Sequence, residues 1–360
     1  MGEPSLTGPY YFLLGQAHSV LGNRDLADQA ARRAIDEARR SDDRATMGRA
    51  QTVLTREAHW LGRPIEGIRH GRRAVRLLEK ANDLHWLGIA HWLIGRHYYL
   101  MGEFEAALAA ADRARVIGES NEDLRLQSHV ACTTGELLAV RGDWEAGIAL
   151  CTWGFEISPD PLNTANALGH LGSAYLEAGD PGRSIPFLEQ AVEQFGQFRG
   201  GQARGWYTML LGAARLAKGD VTEARVQTLA AVEILKFAQY QRGLGWAQRT
   251  LGRLALHDGA VGEAEARLRE ALMIFSGISA RFEVGRTHLA LAELAYLGGD
   301  ANGAKRYLDD AHRVFCALAV PRYIERTERI ADQFGVRVPK TAPAGTRERM
   351  RRRREQRRAS

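Results

Sequence analysis

Apolar and polar positions keep a helical period through nearly the whole chain, broken at regular intervals by a glycine that closes an apolar stretch. The stretches read "SVLGN", "HWLGR", "YLMGE", "AVRGD", "LEAGD", "LAKGD", "LHDGA" and "YLGGD". Their glycines are Gly22, Gly62, Gly102, Gly142, Gly179, Gly219, Gly259 and Gly299, with spacings of 40, 40, 40, 37, 40, 40 and 40 residues. Five positions after each stands a small residue: Ala27, Gly67, Ala107, Gly147, Ser184, Ala224, Ala264 and Ala304. Twelve positions after stands another: Ala34, Ala74, Ala114, Gly154, Ala191, Ala231, Ala271 and Ala311. Six units also have a glycine seven positions before the turn, at Gly15, Gly95, Gly135, Gly172, Gly212 and Gly252. Small residues at these places let two antiparallel helices approach closely, and the turn glycine is free to take a positive φ at the end of the first helix. Each unit therefore predicts a helical hairpin that buries its apolar face only by stacking on its neighbours. No stretch shows the Val/Ile/Thr alternation of a sheet, so the expected fold is all-α.

The fifth unit carries Leu168, Leu171-Gly172, Tyr175, Gly179, Ser184, Leu188 and Ala191. The first carries Tyr11, Leu14-Gly15, Gly22, Ala27 and Ala34, and Pro159 closes the fourth. With these residues the chain resembles the tetratricopeptide repeat family over residues 8–335. The resemblance implies a right-handed superhelical solenoid of eight hairpins, with the first helix of each lining a concave groove. Units of 40 residues imply longer helices than the family's usual period gives. Such long units are similar to the C-terminal arrays of bacterial signalling ATPases, nucleotide cyclases and LuxR-like regulators, and "ARFEVGRTHLALAELAYLGGD" is the most reminiscent part. The second unit departs from the pattern, with Thr55 where glycine is expected and Gly67 and Gly71 in its second helix. That predicts a unit either loose or shaped for another purpose. Pro159 and Pro161 in "SPDPLNT" should end a helix and allow a bend at 157–163.

Composition narrows the function classes. At 45% hydrophobic and 26% charged residues the chain is globular in character. Cys132, Cys151 and Cys316 are far apart and have neither zinc nor disulfide spacing. They read as small buried hydrophobes, and a cytoplasmic protein is expected. No run approaches the length of a membrane span, and "MGEPSLTGPYYFLLGQ" lacks the basic start of a signal peptide. The net charge of +6 resides in residues 347–360, "RERMRRRREQRRAS", which hold eight arginines and two glutamates. No phosphate loop, nucleophile elbow or His-Glu-x-x-His occurs; "GDANGAKRY" and "RGLGWAQRT" match phosphate and dinucleotide motifs only in part. The expectation is a protein that is not an enzyme and uses no cofactor or metal.

The densest candidate chemistry is "HWLGIAHWLIGRHYYL", residues 85–100. His85, His91 and His97 are six apart, and six residues turn a helix by about 240° net, so they point three ways rather than to one metal. Tyr98 sits at the repeat's core tyrosine position. Trp92, Arg96 and Tyr99 share one face by their spacing of four and three. By the family resemblance that face lines the concave groove. The same face elsewhere offers Arg49, Thr52, Arg56, His59 and Trp60, then His129, Cys132 and Glu136, then the bland Asn166, Gly169 and Ser173. Later units add Trp206 and Met209, then Trp246, Arg249 and Arg253, then Arg286, Leu289 and Glu293. Arg and Trp are enriched at binding hot spots. The expected groove set is Arg49, Arg56, His59, Trp60, Trp92, Arg96, Tyr99, His129, Trp206, Trp246, Arg249 and Arg253, suited to an acidic peptide, a C-terminal carboxylate, or a phosphorylated or nucleotide ligand. The alternative is that the arginines are solvated and the tryptophans fill gaps between helices.

After unit eight, "PRYIERTERIADQFGV" predicts a capping helix in which Tyr323, Ile330 and Phe334 cover the last face. Tyr10, Tyr11 and Leu13 at the other end have no such cover, which suggests an upstream domain, a second copy or a partner. Residues 336–346 read as a linker and 347–360 as a disordered tail. Arg351, Arg352, Arg353 and Arg354 in that tail suit a salt-dependent polyanion contact. The first expectation is a peptide- or protein-binding scaffold in bacterial signalling or transcriptional regulation, with no membrane partner. The alternatives are a nucleic-acid-associated regulator acting through the tail and a sensor fragment of a larger ATPase or cyclase.

Overall fold

The computed structural model describes residues 6–198 and 201–339, which form seventeen helices and no strand. The linker beyond residue 339 and the tail, with Arg351 to Arg354, lie outside the described residues. The hairpins are α1 (Thr7–Leu21) with α2 (Arg24–Arg40), α3 (Arg44–Trp60) with α4 (Pro64–Ala81), α5 (Leu84–Met101) with α6 (Phe104–Ser120), and α7 (Leu124–Arg141) with α8 (Trp144–Glu156). They continue with α9 (Pro161–Glu177) and α10 (Pro181–Gln197), α11 (Gly201–Lys218) and α12 (Val221–Phe237), α13 (Gln241–His257) and α14 (Val261–Gly277), and α15 (Arg281–Leu297) and α16 (Ala301–Ala317). A last helix, α17 (Pro321–Gln333), packs on α16.

All eight predicted turn glycines have positive φ, from 69° at Gly62 to 96° at Gly142 and Gly219. The second small position of each hairpin is sealed: Ala34, Ala74, Ala114, Ala191, Ala231, Ala271 and Ala311 are fully buried. The glycine seven before the turn faces backbone. A Cβ at Gly95 would lie 3.3 Å from the Ala107 carbonyl oxygen, and one at Gly252 would lie 3.3 Å from that of Ala264. Unit two makes its space on the other helix. Thr55 is buried on α3, while Gly67 and Gly71 on α4 admit the His97 and Ile94 side chains of α5. This unit is tightly packed, with α4 an unbroken helix of 18 residues.

The superhelix comes round far enough for its successive turns to touch. Gln202 Nε2 donates to the Ser19 carbonyl at 3.0 Å, and Arg24 Nε to that of Ala238 at 3.1 Å. The ring of Trp60 meets Tyr240 at 4.7 Å, and Phe104 meets Phe282 at 6.0 Å. The Arg322 guanidinium lies 5.3 Å from the Trp144 ring. Units one to four thus rest on units six to eight and α17, and the largest apolar cluster runs across this contact. The capping residues act as expected: Tyr323 is buried, and Phe334 stacks on Tyr296 at 3.9 Å. At the other end Tyr10 and Leu13 are 60% and 63% exposed, while Tyr11 is half-buried with the Arg33 guanidinium 5.6 Å from its ring.

Candidate functional site

The inner faces of the first helices carry the expected residues, and the closure of the superhelix decides which of them reach open space. In the first half, Arg49 pairs with Asp83 at 2.6 Å, and Arg56 Nη1 donates to Gln16 at 3.4 Å. Trp92 stacks on His129 at 4.8 Å and its indole donates to Thr133 at 3.1 Å. Arg96 lies 5.3 Å from both the Trp60 and Trp92 rings, and its Nη2 is 3.1 Å from His59 Nε2. Neither Arg56 nor Arg96 has a carboxylate partner among the described residues. Trp92, Arg96 and Tyr99 border only a small recess of ≈ 30 Å³.

The expectation of one continuous open groove differs from the structure at His59, Trp60, Trp206, Trp246 and Arg249. All five are buried. Trp60, Tyr240, Trp206 and Trp246 form an edge-on chain with centroids 4.7, 5.7 and 5.7 Å apart. His59, Trp60 and Trp206 pack around Tyr240 and Trp246 packs on Trp206, whereas Arg249, though buried, borders open space at the C-terminal end.

Charge within the contact is balanced. Glu136 accepts from the Tyr99 hydroxyl at 3.1 Å and from His170 at 2.7 Å, while Arg242 lies 3.7 Å from both Glu136 and Glu283. Arg249 pairs with Glu283 at 2.7 Å, and Arg286 with Glu177 at 2.6 Å. Tyr323 donates to Glu177 at 3.0 Å. Burial would raise the Glu136 carboxyl, but His170, Arg242 and the Tyr99 hydroxyl hold it at about 2. Burial lowers Arg249 to about 10 against the pull of Glu283. Burial also keeps the ring of His97 neutral, down to about 4, and that of His129 to about 3. The three helix-α5 histidines go to separate neighbours: His85 to Asp123 at 2.5 Å, His97 to the Thr55 carbonyl at 2.9 Å, and His91 into the packing.

Open concave space survives at the C-terminal end as a chamber of ≈ 1150 Å³. The inner faces of α13 and α15 form one wall, α17 another, and the ends of α7 and α9 a third. Arg249 and Arg253 line it, as do Trp144, Tyr296, Tyr323 and Phe334. Arg253, Arg326 and Arg329 enter it without an ion pair among the described residues, facing Glu293. The sequence reading missed Arg242, Glu283 and Tyr240. A signal was present: Asp43, Asp83, Asp123 and Asp160 cap the first helices of units two to five, and their counterparts in units seven and eight and at α17 are Tyr240, Ala280 and Val320. Those three are 1%, 0% and 0% exposed.

These features define a closed superhelical solenoid of helical hairpins with a concave chamber at its C-terminal end. The tetratricopeptide repeat family matches residues 8–40 and 165–195, and the chain carries tetratricopeptide repeats. Its fold is similar to that of the Rap protein complexed with competence and sporulation factor, at 11% identity over 92% of this chain and 98% of that one, with a TM-score of 0.57. It is likewise similar to NprR in complex with its cognate peptide NprX, at 12% identity over 92% and 98%, with a TM-score of 0.57. No curated protein matches the chain in sequence. Among the described residues, no helix is long and apolar enough to cross a membrane.

Proposed function

We propose that the protein is a regulatory scaffold of the cytoplasm that binds a peptide or protein segment in the C-terminal chamber, by recognition and without a covalent step. The observation that carries this reading is the chamber itself: ≈ 1150 Å³ of concave space bordered by Arg253, Arg326 and Arg329, which make no ion pair among the described residues. Guanidinium groups outside ion pairs favour a ligand bearing carboxylates, and the flanking Trp144, Tyr296 and Phe334 offer rigid apolar surface. The fold that holds a cognate peptide in NprR supports a peptide as the ligand class. Of the groove residues expected from sequence, Arg249 and Arg253 border this chamber.

Selection of peptides from a displayed random library against the full chain tests the reading. Acidic peptides should emerge, and their affinity should fall about tenfold or more in R253E/R326E, since charge-paired contacts at hot spots are worth at least that much. Peptides that bind this variant as well as the parent would move recognition away from the chamber. The arginine tail supports a second reading, a polyanion contact with steep salt dependence that deletion of residues 341–360 would abolish.

A further inference from the structure

The outer faces of the second helices provide an internal comparison. On α2, Asp28 pairs with Arg32 at 2.6 Å and Arg33 with Glu37 at 3.0 Å. On α6, Arg115 sits between Asp112 and Glu119 at 2.6 and 2.7 Å. Glu265 and Arg269 on α14, and Lys305 and Asp309 on α16, pair at 2.6 Å. These helices neutralise their solvent faces with alternating charge.

Helix α4 does not. Arg69, Arg72, Arg73 and Arg76 are exposed and lie three or four apart, so each adjoins two like charges. Glu66 at the helix start is 4.0 Å from Arg69 and is shared with Arg63 at 3.7 Å. Arg72 donates to the Tyr98 hydroxyl at 3.0 Å, and Arg73 and Arg76 have no ion pair among the described residues. The four arginines border an open groove of ≈ 500 Å³ whose remaining walls are Ile65, Ile68, Tyr98 and Met101. Ile65 is 67% exposed. The groove exists because Gly67 and Gly71 bring α5 against α4, which seats Tyr98 and Met101 beside the arginines.

We propose that this groove is a second binding site, on the outer surface, for an acidic amphipathic segment of another protein. Carboxylates would take the arginines in charge-assisted hydrogen bonds while apolar side chains cover Ile65 and Met101. A phosphate backbone or a lipid headgroup layer would use the cations but leave the apolar wall unexplained. Residues 1–5 hold one glutamate and residues 340–360 are strongly basic, so neither stretch has the acidic amphipathic character the groove would take. The site is separate from the chamber and does not depend on it.

The test is fluorescence anisotropy on the full chain, with a labelled peptide of glutamate and leucine at helical spacing as probe. Oligoglutamate of equal charge, duplex DNA and phosphatidylserine vesicles serve as comparators. The probe should bind more tightly than oligoglutamate, lose about tenfold or more in R72E/R76E and in I65S, and be unaffected by R253E/R326E. R72E/R76E relieves like-charge repulsion, so its melting temperature should hold or rise, separating lost binding from lost fold. Equal binding of oligoglutamate, or an unchanged affinity in R72E/R76E, would overturn the proposal. DNA or vesicle binding tighter than that of the probe and abolished by R72E/R76E would overturn it in favour of a nucleic-acid or membrane contact.

Discussion

Gly62 and Gly259 hold the same place in units two and seven, with φ of 69° and 73°. A Cβ built on the first would strike Ile278, whereas one built on the second would point into open space. The contrast extends along the molecule. Gly22, Gly62, Gly102 and Gly142 are met by Gln202, Ile278, Leu318 and Arg322, while Gly179, Gly219, Gly259 and Gly299 face open space. One local rule sets the backbone of all eight turns, and the pitch of the superhelix sets what each turn meets. The partner surface changes composition to suit: an aspartate that caps a helix at a half-buried position becomes Tyr240, Ala280 or Val320 where the cap position is fully covered. A buried carboxylate there would cost desolvation, whereas an apolar side chain contributes area.

The change that should disturb this arrangement most is Arg242→Ala. It removes the cation 3.7 Å from both Glu136 and Glu283, leaving the first with His170 and the second with Arg249. Removing one partner of a buried charge cluster costs about 3–5 kcal/mol. Urea denaturation should show a loss of that order, and a midpoint unmoved from the parent would mean that the two turns do not press together in solution.

Next in size is the pair Gly62→Ala and Gly259→Ala. Both substitutions place a Cβ on a left-handed residue, which costs about 1–2 kcal/mol. At Gly62 the new methyl must also displace Ile278, and overpacking adds about 1–3 kcal/mol. Thermal melting should therefore rank Gly62→Ala clearly below Gly259→Ala. Equal melting temperatures would remove the distinction between closed and open turns.

The repeat was legible because its determinants are local. A turn needs glycine, a close helix crossing needs Ala27 or Ala34, and both recur at fixed spacing. The helical face of Trp92, Arg96 and Tyr99 was equally legible from spacing alone. Whether that face stays open was not, because it depends on residues such as Ser19 and Gln202, 183 positions apart, meeting after several small rotations. The charge network escaped for the same reason, since Arg242 reads as an ordinary first-turn residue of α13. Only the loss of aspartate at 240, 280 and 320 hinted at the closure, and its meaning appears once the covering turn is seen.

A smaller effect comes from His97, whose ring is sealed between α3 and α4 of the closed half. Burial lowers it to about 4 from 6.5. Above 6.5 both folded and unfolded states are neutral and its stability contribution is fully present. Between 6.5 and about 4 the unfolded chain takes up a proton that the folded one does not, and stability falls by about 1.4 kcal/mol per pH unit. Urea midpoints followed from neutral pH to about pH 5 should show this loss, and His97→Gln should flatten the slope by that amount. An unchanged slope in the variant would mean that the ring is already accessible to protons in the folded state.

The smallest effect isolates the cap itself. Asp43 accepts from the Thr46 backbone N–H at 3.0 Å, and among the described residues no ion pair adds to its role, unlike Asp83 with Arg49. Asp43→Ala should cost about 1 kcal/mol and Asp43→Asn should recover most of it, because asparagine caps as well as aspartate. If asparagine fails to recover the loss, the carboxylate acts through its charge on α3 rather than through the hydrogen bond. The aspartate at these junctions would then be an electrostatic choice, and its replacement at Tyr240, Ala280 and Val320 would follow from the cost of burying that charge.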